Sequence, residues 1–205
     1  MTTPGTLFTV SAPSGAGKTS LVKALVEHCP DICVSISHTT REVRPGEKDG
    51  VSYHFVTETV FRDMLNRGEF LEHAQVFNNF YGTSQTWVEE RLNAGLDVIL
   101  EIDWQGAGQI KRQRPQSVAV FILPPSREAL LQRLRLRGRD QEDVIKARMD
   151  QAVTEISHYP ESDYIIVNDN FDTALDQLRH VVEAQRLRVD AQVIRQRDLL
   201  TDLLS

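Results

Sequence analysis

Hydrophobic residues in this chain fall into short unbroken runs separated by longer amphipathic stretches. Four runs of five to seven residues are rich in Val and Ile, at Leu7–Ser11, 97–103, 117–123 and 163–167. Runs of this length without polar alternation are typical of strands buried on both faces of a parallel sheet. Helical spacing fills the stretches between them, beginning with 18–27. The alternation predicts an α/β fold, a parallel sheet flanked by helices on both faces.

The last helix is predicted to begin at Phe171, where Leu175, Leu178 and Val182 recur at helical spacing. Asp172 is a candidate residue for capping its N-terminus. The tail, 186–205, has the character of a charged continuation of this helix.

Two segments interrupt the alternation. The segment 37–92 is polar and aromatic, which favours a small excursion with its own strands. The segment 127–158 is helical and crowded with arginine, and it projects between two strand candidates. We therefore expect a single domain, 1–205, whose core comprises 1–36, 93–126 and 159–205 and which carries two inserted subregions that move as flaps.

Composition narrows the classes of partner. The chain has 205 residues, 40% hydrophobic and 25% charged, enough for one compact domain with a full core. Its formal net charge of −6 argues against a nucleic-acid partner but leaves small anionic ligands open. Cys29 and Cys33 lack the spacing of zinc or redox motifs. Since no stretch approaches the roughly 20 apolar residues of a membrane span, we expect no membrane partner and a cytoplasmic location. The pattern predicts no particular oligomeric state.

A phosphate-binding loop is predicted directly after the first strand. The residues 11–19 read S-A-P-S-G-A-G-K-T, and a helix follows at once. Glycines allow the backbone to point successive N–H groups at one anion, the lysine bridges terminal phosphates and the hydroxyl faces Mg²⁺. The contributing residues are Ala12, Pro13, Ser14, Gly15, Ala16, Gly17, Lys18 and Thr19, with Ala12 in place of the usual first glycine. The alternative, a glycine-rich turn that ends a strand, is disfavoured by the Lys-Thr pair at the start of a helix.

Further motifs follow in a fixed order. These are S-H-T-T-R-E-V-R-P-G-E at 37–47, Y-H-F at 53–55, F-L-E at 70–72, Y-G-T at 81–83 and an arginine-rich stretch at 133–139. With the loop, they make the chain resemble bacterial guanylate kinases over about residues 7–187. The resemblance implies a P-loop nucleoside monophosphate kinase fold in which 37–92 binds GMP and 127–158 forms a lid. The activity implied is transfer of the γ-phosphate of ATP to GMP, and to dGMP, with Mg²⁺ as cofactor.

The same resemblance implies the residues that bind GMP. Its phosphate would be held by Arg41, Arg44, Tyr53 and Tyr81, and guanidinium forks suit this task because they offer paired N–H donors. The guanine would be held by Ser37, Glu72 and Thr83. Glu72 would accept hydrogen bonds from N1–H and the 2-amino group, donors that adenine lacks. Taken alone, these residues also fit a solvated basic turn and a surface carboxylate.

Two carboxylates, Glu101 and Asp103, end the central strand, and alternation places both on one side. The family has aspartate at both positions, so Glu101 is a departure from its pattern. We expect Asp103 to organise the water shell of Mg²⁺ or the guanine edge, although a helix cap beginning at Trp104 uses the same residue type.

The remaining residues carried over by resemblance belong to the ATP side. Arg133, Arg137 and Arg148 would reach the transferring phosphates and act with Lys18, while Arg135 and Arg139 are extra charges. A solvated basic helix is the plain alternative. Asn168 matches a position near the adenine, though a turn after a strand also favours asparagine. Because phosphoryl transfer depends mainly on alignment and charge neutralisation, no general base is assigned.

Three other functions compete. A small-molecule kinase of similar fold, such as one for a sugar bisphosphate, would keep the loop and lid but lack Ser37, Glu72 and Thr83. A noncatalytic guanylate-kinase-like binding module would typically have a degraded loop or lid. A P-loop GTPase would need an N-K-x-D motif, which the sequence lacks.

Overall fold

Five parallel strands form the central sheet of the computed structural model, which describes residues 3–76, 78–137 and 142–205. In spatial order the strands are β2 (Ile32–Val34), β7 (Asp97–Glu101), β1 (Leu7–Ser11), β8 (Val118–Leu123) and β9 (Tyr164–Val167). All four neighbouring pairs run parallel. Every predicted strand is present within one or two residues, and the predicted α/β architecture is confirmed.

Helices cover both faces of this sheet because side chains alternate along its buried strands. On β1, Phe8 and Val10 pack with α1 (Lys18–His28) and α7 (Phe171–Arg186), whereas Leu7 packs on the opposite face. That opposite face is covered by α3 (Gln85–Asn93) and α4 (Trp104–Gln113). Burial on both faces explains why β1, β7 and β8 carry continuous apolar runs. The expectation of burial is wrong for the fourth run, because β9 lies at the edge of the sheet and only its Ile166 is buried.

A second sheet lies within the segment 37–92. Its strands, in spatial order, are β4 (His54–Phe55), β3 (His38–Thr39), β6 (Asn79–Ser84) and β5 (Phe70–Val76), and α2 (Glu58–Asn66) precedes β5. The segment 127–158 contains α5 (Arg127–Arg137) and α6 (Glu142–Ile156), followed by a short 3-10 helix at Tyr159–Glu161. The first segment lies between β2 and β7 in the chain and contains these strands, although its α3 packs on the central sheet. The second lies between β8 and β9 in the chain and contains helices.

Two details of the last helices differ from the sequence predictions. The cap of α7 is Asn170, whose side chain accepts a hydrogen bond from the Thr173 N–H, so the prediction of Asp172 is wrong. The tail also does not continue α7, because the chain turns at Leu187 and forms α8 (Val189–Arg195) and α9 (Arg197–Leu204). Arg186 ends α7 while bound to the Asp97 carboxylate at 2.7 Å and to the Pro30 carbonyl. These tertiary contacts hold the last turn of α7 where it is.

Within the described residues, no helix combines the length and apolar character needed to cross a membrane.

Candidate active site

The loop after β1 passes twice through left-handed backbone, at Gly15 and Gly17, each with φ of 95°. Gly17 precedes α1 directly, and its cap position has no side-chain hydrogen bond. A Cβ on Gly17 would lie 2.3 Å from Nδ2 of Asn168, so this position requires glycine for space as well as for conformation. The backbone therefore has the glycine-dependent turn before a helix N-terminus that phosphate binding needs.

Asn168 and Arg133 both donate hydrogen bonds to a carbonyl of this loop. Asn168 is buried after β9, and its Nδ2 donates to the Ala16 carbonyl at 2.7 Å. Arg133, on α5, donates to the Asn168 carbonyl at 3.0 Å and lies 3.5 Å from the Ala16 carbonyl. Neither side chain lines the cavity described below. In this structure they hold carbonyl oxygens of the protein, so their expected contacts with ATP remain predictions.

Lys18 opens α1 and lies between the loop and the end of β7. Its Nζ donates to the Ile102 carbonyl at 3.3 Å. Burial lowers the pKa of Lys18, and the nearby carboxylates of Glu101, Asp103 and Glu155 oppose that shift. The next residue, Thr19, donates its hydroxyl to Glu101 at 2.8 Å. The lysine is thus surrounded by negative charge at the carboxyl ends of β1 and β7, where parallel sheets bind ligands.

Asp103 caps α4. Its Oδ1 accepts from the Gly106 N–H at 2.9 Å and its Oδ2 accepts from the Gln105 side chain at 3.1 Å. The capping alternative raised by the sequence is therefore present. Because β7 ends at Glu101, strand alternation does not extend to Asp103, yet both carboxylates line one cavity.

Ser37, Thr83 and Glu72 form a chain of contacts on the second sheet, although they come from three different segments. Thr83 on β6 donates to Glu72 on β5 at 2.6 Å, and its hydroxyl lies 3.4 Å from that of Ser37. Glu72 is only 3% exposed, and burial is the main cause that raises its pKa to about 7. A Cβ on Gly106 would lie 2.6 Å from the Glu72 carboxylate, so glycine there makes room for it. This carboxylate is buried and therefore does not fit the surface-charge alternative.

Arg41 and Tyr53 lie beside strands of the second sheet, since Arg41 comes shortly after β3 and Tyr53 directly precedes β4. The Arg41 guanidinium lies 5.3 Å from the centre of the Tyr53 ring, and the Tyr53 and Tyr81 rings are 6.0 Å apart. Glu47 accepts from Arg41 at 2.7 Å and from the Arg44 backbone N–H at 2.9 Å. The hydrogen bond between the Arg41 and Glu47 side chains is the largest cause that raises the pKa of Arg41. Arg41 is therefore held in place by the protein, whereas Arg44 is exposed.

The other lid arginines named in the sequence predictions are Arg135, Arg137, Arg139 and Arg148. Arg148 is half-buried on α6, and Arg137 ends α5 with its side chain outside the described part of the chain. Arg139 also lies outside the described residues. Arg135 pairs with Glu142 at 3.1 Å, which fits its expected status as an extra charge.

One cavity of about 310 Å³ joins the two groups of residues. The phosphate loop, Lys18 and Thr19 line one part of it, and Ser37, Tyr53, Glu72 and Tyr81 line another, with Glu101, Asp103 and Glu155 also present. A larger cavity of about 580 Å³ lies at the opposite, amino-terminal edge of the central sheet. There Lys111 pairs with Asp163 and Arg114 with Glu89, so these cations are already neutralised. The chemistry therefore favours the smaller cavity.

Three residues of this site are absent from the sequence predictions. Glu47 belongs to the motif at 37–47, so its position was a usable signal. Gly106 follows a strand and a capping aspartate, but its closeness to Glu72 is a tertiary feature. Glu155 sits in an ordinary amphipathic helix, and nothing in its sequence context indicates that its carboxylate lines the cavity.

Comparison with known proteins agrees with this geometry. The family profile described as guanylate kinase matches residues 5–185. Guanylate kinase of Saccharophagus degradans is 60% identical over 205 residues, covering all of both chains. Guanylate kinase of Vibrio cholerae is 54% identical over 203 residues, covering 98% of each chain. The crystal structure of guanylate kinase from Anaplasma phagocytophilum has a TM-score of 0.77 and 33% identity, covering 93% of this chain and 91% of that one. The chain belongs to the guanylate kinase family.

Proposed function

We propose that this chain transfers the γ-phosphate of ATP to GMP, giving ADP and GDP, and that it also accepts dGMP. The observation that carries the proposal is the single cavity in which a phosphate loop faces a buried carboxylate with two hydroxyl neighbours. A donor held at the loop and an acceptor held at Glu72 would share that space. Such alignment of two reactants supplies a large part of a catalysed rate.

The acceptor is selected by its base in this proposal. Glu72 accepts from the guanine N1–H and 2-amino group, while Ser37 and Thr83 lie beside it for the guanine O6. Arg41, Arg44, Tyr53 and Tyr81 hold the phosphate of GMP. Adenine would offer the buried Glu72 carboxylate neither of these two donors, at about 1–3 kcal/mol for each unmade hydrogen bond.

The donor is bound by the backbone of residues 12–17 and by Lys18. Lys18 neutralises charge on the transferring phosphoryl group, and Arg133, Arg137 and Arg148 add to it from the lid. For Arg133 this requires its guanidinium to leave the carbonyls of Ala16 and Asn168 that it now contacts.

Magnesium fits this site as a partner of the nucleotide. Thr19 and Glu101 offer hard oxygen donors 2.8 Å apart beside the loop, and among the described residues no cluster of three metal-ligating side chains is present. Mg²⁺ commonly binds through few protein oxygens together with substrate phosphates. Thr19 and Glu101 would hold the ion, with Asp103 near its water shell, and the ion would supply charge neutralisation at the phosphates.

The cytoplasmic location remains a prediction.

The proposal is tested by measuring ADP release with Mg-ATP against a panel of acceptors: GMP, dGMP, AMP, CMP, UMP and a ribose phosphate. We expect turnover with the two guanine nucleotides and at most weak turnover with the rest. Preference for the ribose phosphate would point to a different small-molecule kinase. Absence of ADP release with GMP would point to a noncatalytic binding module.

A further inference from the structure

A lid carboxylate lies against the phosphate loop. Glu155, near the end of α6, accepts a hydrogen bond from the backbone N–H of Ser14 at 3.3 Å through Oε2. Its other oxygen accepts from Gln151 at 3.2 Å. The side chain is partly buried and lines the same cavity as Lys18. None of the roles assigned above uses this residue.

Glu155 accepts from a backbone N–H that the loop would otherwise offer to a phosphate. Backbone N–H groups of such a loop bind anions, and a carboxylate oxygen offers them the same acceptor chemistry as a phosphate oxygen. Burial raises the pKa of Glu155, while its contacts with the Ser14 N–H and the charge of Lys18 lower it. Glu101 and Asp103 add negative charge around the same lysine. An incoming triphosphate would therefore find the Ser14 N–H already hydrogen-bonded to a carboxylate.

We propose that Glu155 competes with the nucleotide phosphates for the Ser14 N–H, so that this lid carboxylate must move off the loop for the donor to bind. The inference rests on the proposed function, because it assumes that ATP uses this loop. It makes Glu155 a residue that weakens ATP binding, in contrast to the loop residues that strengthen it. Glu155 thereby links the position of α6 to occupancy of the phosphate site.

The test is direct binding of a non-hydrolysable ATP analogue with Mg²⁺, measured by calorimetry on the full chain. Glu155→Gln keeps an oxygen that accepts from Ser14 but removes the charge. We expect the dissociation constant of this variant for the analogue to be about threefold to tenfold lower than that of the wild type. This is the size of effect expected when one partly screened negative charge near the phosphates is removed. The difference should shrink as salt is added, and the dissociation constant for GMP should not change.

Asp150→Asn is the matched control, since Asp150 lies on α6, is exposed and does not line the cavity. An equal gain in this variant would mean a general charge effect and would overturn the proposal. Unchanged or weaker analogue binding in Glu155→Gln would overturn it too. If Glu155→Gln does not fold, Glu155→Asp serves instead, because its shorter side chain draws the carboxylate away from Ser14, and unchanged binding there has the same meaning. Failure of the wild type to bind the analogue at all would refute the proposed function itself.

Discussion

Replacing Glu72 by glutamine separates binding from stability at one buried position. Glutamine has the same shape and keeps an oxygen that can accept from Thr83, which now donates to Glu72 at 2.6 Å. It replaces the other oxygen by an NH₂ group. In the proposed complex that group would face donors of guanine, so one charged acceptor is lost and two donors oppose each other.

The expected loss of GMP affinity follows from these contacts. A hydrogen bond to a charged group contributes about 1.5–3 kcal/mol, and losing its charge and one acceptor together gives about 3 kcal/mol. At roughly 1.4 kcal/mol per tenfold, this is about a 150-fold rise in the dissociation constant for GMP. ATP binds at the loop, so its affinity should change little.

Stability is expected to move in the opposite direction. Burial raises the pKa of Glu72 from 4.5 to about 7, so the folded protein favours the neutral carboxyl. The contribution of Glu72 to the free energy of unfolding is fully favourable below about pH 4.5 and is lost as the pH rises through 7. Above that pH the ionised carboxylate makes the folded protein about 3 kcal/mol less stable than at about pH 4.5. Glutamine never ionises. At about pH 8 the variant should therefore melt several degrees above the wild type, and this gain should vanish near pH 4.5.

Calorimetry with GMP and with ATP, together with melting curves at both pH values, checks this reasoning. A change in GMP affinity below about threefold would refute the assignment of Glu72 to guanine, given the size of the hydrogen bonds involved. Equal weakening of both nucleotides would refute it as well. A lower melting temperature at the higher pH would refute the burial argument.

The other predictions concern the same cavity. Because guanine needs the ionised Glu72, the dissociation constant for GMP should rise up to about tenfold for each pH unit below 7. Calorimetry across that range should show a steeper change for the wild type than for Glu72→Gln, which has no carboxyl to protonate at this position. Parallel pH profiles for the two proteins would contradict this. Lys18→Ala should lower kcat by at least about 100-fold while GMP binding stays intact, since a preorganised charge at the transferring group is lost; substantial residual turnover would rule out its assigned role. Gly106→Ala places a Cβ 2.6 Å from the Glu72 carboxylate and should weaken GMP binding. Gly108→Ala on the same helix meets only the tips of the Arg112 and Glu161 side chains, at 3.4 and 3.8 Å, and should not. Equal GMP affinity in the two variants would show that the space at Gly106 is unimportant.

Much of the fold was predictable because it depends on local patterns. Strands β1, β7 and β8 are buried on both faces, so each appears in the sequence as an apolar run. The edge strand β9 has the same apolar run, although only Ile166 is buried there. The phosphate loop was predictable because its glycines, lysine and threonine are contiguous. The motif at 70–72 likewise indicated Glu72 through resemblance, although the burial that raises its pKa is a tertiary feature that the motif does not show.

The unpredicted features depend on tertiary contacts. Asn170 caps α7 although Asp172 is an equally good capping residue by type, and the choice follows from where β9 ends. The tail breaks after Arg186, whose partners Asp97 and Pro30 are distant in sequence. Arg133 was expected at the phosphates of ATP, yet its guanidinium binds carbonyls of the loop and of Asn168. Glu155 reaches Ser14 across 141 residues of chain.

The most direct test of the account uses a compound that joins adenosine to guanosine through a polyphosphate chain. If the donor lies at the phosphate loop and the acceptor at Glu72 within one cavity, a single molecule should bind per chain. It should bind more tightly than ATP or GMP and prevent both from binding. Contradiction would come from two molecules bound per chain, or from GMP that still binds with its usual affinity when the compound saturates the protein.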